Sequence, residues 1–81
     1  FQLSHDAALL RNIAGRSLAE LGLGRRSGAL VLAIRVKGRL VANPGGDRLL
    51  EPGQVLIVLG SRRQLKQFQD LLGKAVDPMP A

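Results

Sequence analysis

No cysteine occurs in the 81 residues, and neither tryptophan nor tyrosine. The first absence excludes disulfides, thiolate chemistry and every zinc site that needs a Cys ligand, and it fits an intracellular chain. The second leaves two Phe as the only aromatics. The core must therefore be built from Leu, Val, Ile and Ala in tight aliphatic layers, and a single-stranded nucleic acid would find almost no flat side chains on which to stack its bases. Long apolar runs are missing too. The longest, Ala29 to Ile34 and Val55 to Leu59, fall far short of the ~20 residues that a membrane-crossing helix needs, so direct membrane insertion is not expected.

Acidic side chains are also scarce, six against twelve Lys and Arg, which leaves a net charge of +6. The cations run from Arg11 to Lys74 over helices, turns and strands instead of forming one block. That spread favours a solvated basic surface, and nucleic acid is not expected as a partner. A chain of this size buries only roughly 60% of the surface its unfolded form exposes, so a second copy completing the core is expected. The chain opens on Phe1 without a charged leader, and it reads as a piece of a longer protein.

What is present organises into an α+β domain over residues 1–73, with residues 74–81 as a flexible tail or linker stub. The weak alternation of Phe1 to Leu10 suits an edge strand. Ser17 followed three residues later by Glu20 matches a capping box and opens a short helix over about 17–22. Gly22 and Gly24 stop it, and with Gly28 they form a flexible turn into the next strand. The run from Ala29 to Val36 is β-branched and nearly all apolar, which predicts a central strand. On a period of two, Leu30, Leu32, Ile34 and Val36 share one face, and Ala29, Val31, Ala33 and Arg35 the other. Lys37-Gly38 predicts a tight hairpin into Arg39 to Ala42 and hence an antiparallel pair.

Pro44 cannot donate to a ladder, so Asn43 to Asp47 must be a loop. Leu49 and Leu50 return to the core, and Pro52-Gly53 fits the centre of a type II turn. Val55 to Leu59 is a further strand, so the sheet is small and mixed or antiparallel. Ser61 and Gln64 repeat the capping-box spacing at the head of a last helix. In it Leu65, Phe68, Leu71 and Leu72 form one apolar stripe opposite Arg63, Lys66, Gln67 and Asp70, so the C-terminal helix is amphipathic and packs on the sheet. Gly73 ends it.

Catalytic patterns do not assemble. Ser4-His5-Asp6 are consecutive, and neighbours on an extended chain point to opposite faces. His5 alone cannot hold zinc. Gly22, Gly24 and Gly28 miss the dinucleotide fingerprint by one residue and follow a helix where a strand is required. The six carboxylates sit at helix ends, turns and the tail, with no acid/base pair among them. No enzyme, metal or certain cofactor is expected.

Taken in order, Gly15-Arg16-Ser17-Leu18-Ala19-Glu20-Leu21, the segment from Gly28 through Ile34-Arg35 to Gly38, Asn43-Pro44, and Leu50-Glu51-Pro52-Gly53 followed by Val55 to Gly60 resemble the TrkA-C (RCK C-terminal) domain of potassium channels and cation transporters. The likeness covers roughly residues 11–72, and its specificity lies in the succession of motifs. Gln54 departs from it, since an acidic residue often follows the turn glycine in the family.

The resemblance implies a cytoplasmic regulatory module, normally a homodimer. It would be attached to the membrane-embedded portion of a channel or transporter, or to a regulatory subunit of one. It also implies a possible nucleotide ligand such as cyclic di-AMP across the dimer interface, held by Ile34, Arg35, Asn43 and Pro44. Arg35 would pair with a phosphate, Asn43 would hydrogen-bond an adenine or phosphate edge, and Ile34 and Pro44 would pack on the base. Beside this ligand-sensing reading stand a ligand-free dimerisation or gating-ring scaffold and, with least support, a basic nucleic-acid-binding domain.

Overall fold

The computed structural model describes residues 1–77. Three strands, β1 (Leu30–Val36), β2 (Arg39–Ala42) and β3 (Val55–Leu59), form one antiparallel sheet in the order β2-β1-β3. The apolar β1 is central, as its composition requires. Three helices accompany the sheet: α1 (Leu18–Leu21), α2 (Leu23–Ser27) and α3 (Arg62–Leu72), the last running into a 3-10 turn at Gly73–Ala75. This is the α+β architecture that the residue pattern predicts, with every strand pair antiparallel.

The faces of β1 differ from a strict alternation. Val31 pairs with Val58 but Ala33 pairs with Ile57, so Leu32 is an extra residue in a β-bulge. An inserted residue moves the phase by one and sends every later side chain to the opposite face. Ile34, aligned with Val41 and Leu56, therefore shares the inner face with Val31, whereas Leu30 and Leu32 join Arg35 on the outer face. Grouping Leu30 and Leu32 with Ile34 and Val36 is thus corrected, and the bulge is the reason.

The core collects Leu23, Ile34, Leu50, Leu56, Phe68 and Leu72 with residues from both ends of the chain: Leu3, Leu10, Ala75 and Val76 are buried in it. Leu65 and Leu71 complete the stripe of α3 as partly buried neighbours. At its head both halves of the capping box form, the Ser61 hydroxyl accepting from Gln64 N–H and the Gln64 side chain accepting from Ser61 N–H. At α1 only half forms. Ser17 accepts from Glu20 N–H, but the Glu20 carboxylate turns to Arg16, 2.7 Å away.

Two stretches differ from their predicted form, the glycine-rich turn after α1 and the N-terminal edge strand. Gly22, at φ 63°, ends α1 and begins α2 in the left-handed conformation, which glycine adopts without steric penalty. The glycine-rich segment is thus a second helix, corrected from a flexible turn because Leu23 is buried and the Ser27 hydroxyl closes the helix onto Leu23 O. In the expected N-terminal strand, only the first three residues run extended. Gln2 bridges Val55 and Leu3 bridges Val76, and turns follow from Ala7 to Gly15. Ser4 and Asp6 direct those turns, Ser4 Oγ accepting from Asp6 N–H and Asp6 Oδ1 from Ala8 N–H.

The domain continues past residue 73. Ser4 N–H donates to Ala75 O, Asp77 N–H donates to Gln2 O, and Ala75 and Val76 are buried. Residues 74–77 therefore belong to the fold, corrected from the expected tail because they pair with the N-terminal segment. Residues 78–81 of that expected tail lie outside the described residues.

Candidate functional site

The loop that follows β2 is held rigidly enough to shape a surface. Asn43 takes φ 49°, a left-handed conformation that Asn tolerates better than most residues. Its N–H still donates to Leu32 O at 2.8 Å, which extends the ladder to the loop's first residue. Further on, the first turn of α1 binds the loop: Ala19 N–H donates to Gly46 O and Leu18 N–H to Arg48 O. These are helix-start donors that have no partner inside the helix. Ser17 and Leu49 then bridge, and Leu50 N–H donates to Arg16 O.

Beneath this loop lies a hollow of about 580 Å³, floored by Val36 and Val41 and walled by Asn43, Pro44, Asp47, Arg48 and Glu51. A second hollow of about 350 Å³ shares Val36, Val41 and Arg48 and adds Lys37, Arg39 and Leu40. The two form one trough from the β1–β2 hairpin to the Asn43–Glu51 loop. Its apolar floor carries Lys37 and Arg39 at the hairpin end, Asp47 and Glu51 at the other, and Arg48 between them. Arg48 is half-buried and common to both parts. Such a surface takes a flat apolar body on its floor and an anionic group between Lys37, Arg39 and Arg48.

The turn that closes the far end is well formed. Gly53 has φ 80°, as the third position of a type II turn requires. The buried Gln54 side chain accepts from Glu51 N–H at 3.0 Å. A neutral amide thus makes a local turn contact at the position where the family often places an acid.

Of the four residues expected at a ligand site, Asn43 and Pro44 line the trough. Ile34 does not: it is fully buried in the core, and its expected packing on a base is corrected, because the bulge turns it inward. Arg35 is exposed on the outer face, level with Leu40 and Val55, on the side of the sheet opposite Ile34. One chain therefore does not bring Arg35 together with Asn43 and Pro44. Sequence reasoning missed Arg48 and Arg39. The period-two pattern places Arg39 on the inner face opposite Val36, but only the folded loop reveals that Arg48 returns beside it.

The outer face itself is unusually bare. Leu30, Leu40 and Leu59 are each about 60% exposed, and Leu32 and Ile57 somewhat over a third. Among the described residues there is no cluster of His, Cys, Asp or Glu suited to a metal, and no helix is long and apolar enough to cross a membrane.

This small α+β domain, with its loop-covered trough and bare sheet face, matches the family model of the TrkA-C domain over residues 11–73. The chain belongs to the TrkA-C domain family. It is similar to the probable potassium channel protein 2 of Methanocaldococcus jannaschii, 31% identical over 62 residues. That match takes in 76% of this chain and 18% of the channel protein, so the chain spans about a fifth of that relative's length.

Among solved structures, the RCK C domain of the potassium transport protein KtrA in complex with cyclic di-AMP is 27% identical, with a TM-score of 0.68, covering 73% of this chain and 69% of that one. The RCK_C domain dimer of S. agalactiae BusR, also in complex with cyclic di-AMP, has a TM-score of 0.75 at 22% identity, covering 89% of this chain and 84% of that one. BusR is also seen on its busA-promotor DNA. Its likeness to this chain shows the fold alone. The fold thus occurs in a DNA-bound protein as well as in potassium transport proteins, and the comparison does not support excluding nucleic acid.

Proposed function

We propose that this chain is the non-catalytic regulatory domain of a potassium channel or cation transporter, on the cytoplasmic side of the membrane. It would form a homodimer, sense a nucleotide such as cyclic di-AMP, and couple occupancy at the dimer interface to gating or transport. The observation that carries this reading is the trough: Asn43 and Pro44 stand beside Arg48, with Lys37 and Arg39 at its other end. Arg48 is the cation placed to meet a phosphate. Arg35 takes part through the dimer, from the outer face.

The trough includes Leu40 at its β2 side, and Leu40 also belongs to the bare outer face. A ligand lodged there touches the margin of the surface that a second copy would cover, so occupancy and the angle between copies are linked. A tenfold preference for one arrangement is worth about 1.4 kcal/mol, within the usual range of coupling between sites.

Thermal unfolding with cyclic di-AMP tests the reading. Ligand at 100 times its dissociation constant adds ~2.7 kcal/mol, and each kcal/mol raises the midpoint of so small a domain by ~4–8 °C. The expected result is a rise that Arg48→Ala and Asn43→Ala each abolish. A dimer that shows no rise with cyclic di-AMP, cyclic di-GMP, ATP or NADH would instead favour the ligand-free scaffold, which the bare sheet face also supports.

A further inference from the structure

Two arginine pairs stand far apart in the sequence, Arg25-Arg26 in α2 and Arg62-Arg63 at the head of α3, and α2 packs on α3. The helix ends touch. A methyl group on Gly28, which closes α2, would lie 2.9 Å from Gln64 Nε2 in the first turn of α3, and one on Gly60 would lie 3.3 Å from Ala29 Cβ. All four arginines are exposed. Among the described residues the one ion pair is Arg16–Glu20, which involves none of them. Sequence order hides this patch, because the cations look evenly spread until the helices pack.

The chemistry of this end reads charge and little else. Gln64, the neutral polar side chain in the first turn of α3, has its Oε1 taken up by the capping box. The two aromatics that would stack on a base are elsewhere: Phe68 is buried, and Phe1 stacks on it at 5.3 Å between ring centroids. Four planar guanidinium forks suit phosphate oxygens. A partner that offers a plane of phosphates with nothing further to be read is an anionic bilayer. We infer that Arg25, Arg26, Arg62 and Arg63 rest this end of the domain on an anionic phospholipid surface, by adsorption and without insertion. The inference leans on the proposed function only for the presence of a bilayer, and it needs neither the trough nor its ligand.

Each cation near an anionic leaflet is worth about a fivefold gain in partitioning, falling with salt. Co-sedimentation of the chain with phosphatidylcholine vesicles, with and without phosphatidylserine, tests the inference. Binding is expected only with phosphatidylserine and is expected to weaken as salt rises. The double variants Arg25→Gln/Arg26→Gln and Arg62→Gln/Arg63→Gln should each lose about 25-fold, two such factors, with unchanged thermal unfolding.

The control Arg11→Gln/Lys74→Gln removes the same charge from a hollow near the other end of α3, beside Leu71 and Leu72. It should keep most of the binding. Equal binding to neutral vesicles, or an equal loss in the control, overturns the inference. So does duplex DNA that binds more tightly than the vesicles and is lost with the same arginine pairs, which would make the patch a nucleic-acid surface.

Discussion

Ile34 and Arg35 are adjacent in the chain and face opposite sides of the sheet, so their substitutions should separate cleanly. Ile34 has no exposed surface and is aligned with Val41 and Leu56. Truncating such a residue removes its transfer energy and leaves a cavity, at a cost of about 2–5 kcal/mol. In a small domain whose whole stability is of the order of 5–15 kcal/mol, Ile34→Ala should lower the unfolding midpoint by at least ~8 °C. Arg35→Ala removes an exposed side chain with no carboxylate partner among the described residues, and should stay within about ±0.5 kcal/mol. Thermal melts of both at low concentration check this. A mild Ile34→Ala would mean that the bulge at Leu32 does not turn the residue inward, and would return Ile34 to the list of ligand contacts.

At the scale of elements, the two N-caps offer an internal comparison. Ser61 and Gln64 satisfy each other's backbone donors reciprocally, whereas Glu20 leaves its box to pair with Arg16. Losing a serine cap costs about 1 kcal/mol. Ser61→Ala should therefore lower the midpoint by ~4–8 °C. Ser17→Ala should lower it less, because α1 is also held by the loop carbonyls of Gly46 and Arg48. The same contrast explains what could be read from the sequence. The three strands of the sheet, the hairpin, the Pro52-Gly53 turn and α3 announce themselves through local periodicity and turn chemistry and stand where the residues predict, whereas the edge strand expected over Phe1 to Leu10 gives way to turns after Leu3. Helix α2 is hidden because Gly22, Gly24 and Gly28 argue for a turn, and its packing on α3 outweighs their low propensity. The Leu32 bulge is hidden because one inserted residue leaves composition unchanged while reversing the faces. Of the candidate site, Asn43 and Pro44 are legible as loop residues through the succession of motifs that resembles the family. Arg48 is not, since only tertiary hydrogen bonds from α1 bring its loop back over β2.

At the scale of the whole molecule, the outer sheet face raises the question of what covers it. Leu30, Leu32, Leu40, Ile57 and Leu59 contribute five exposed aliphatic side chains to one sheet, a bare surface of the kind that marks an interaction site. A two-fold partner buries the same patch on both copies, and such a pairing needs no carboxylate opposite Arg35 if the axis passes nearer the Leu30–Leu59 end. Dimerisation through this face predicts a species of twice the 8.7 kDa chain mass in light scattering, and a midpoint that rises with protein concentration. Leu59→Asp places a charge where the partner would sit, in a position 60% exposed in the single chain. It should give the monomer mass and a concentration-independent midpoint, with secondary structure by circular dichroism unchanged. A Leu59→Asp protein that still dimerises would move the interface off the sheet. The free β2 edge beside the trough would then be the next surface to test, and a ligand held there would join two copies by a different path from the one argued above.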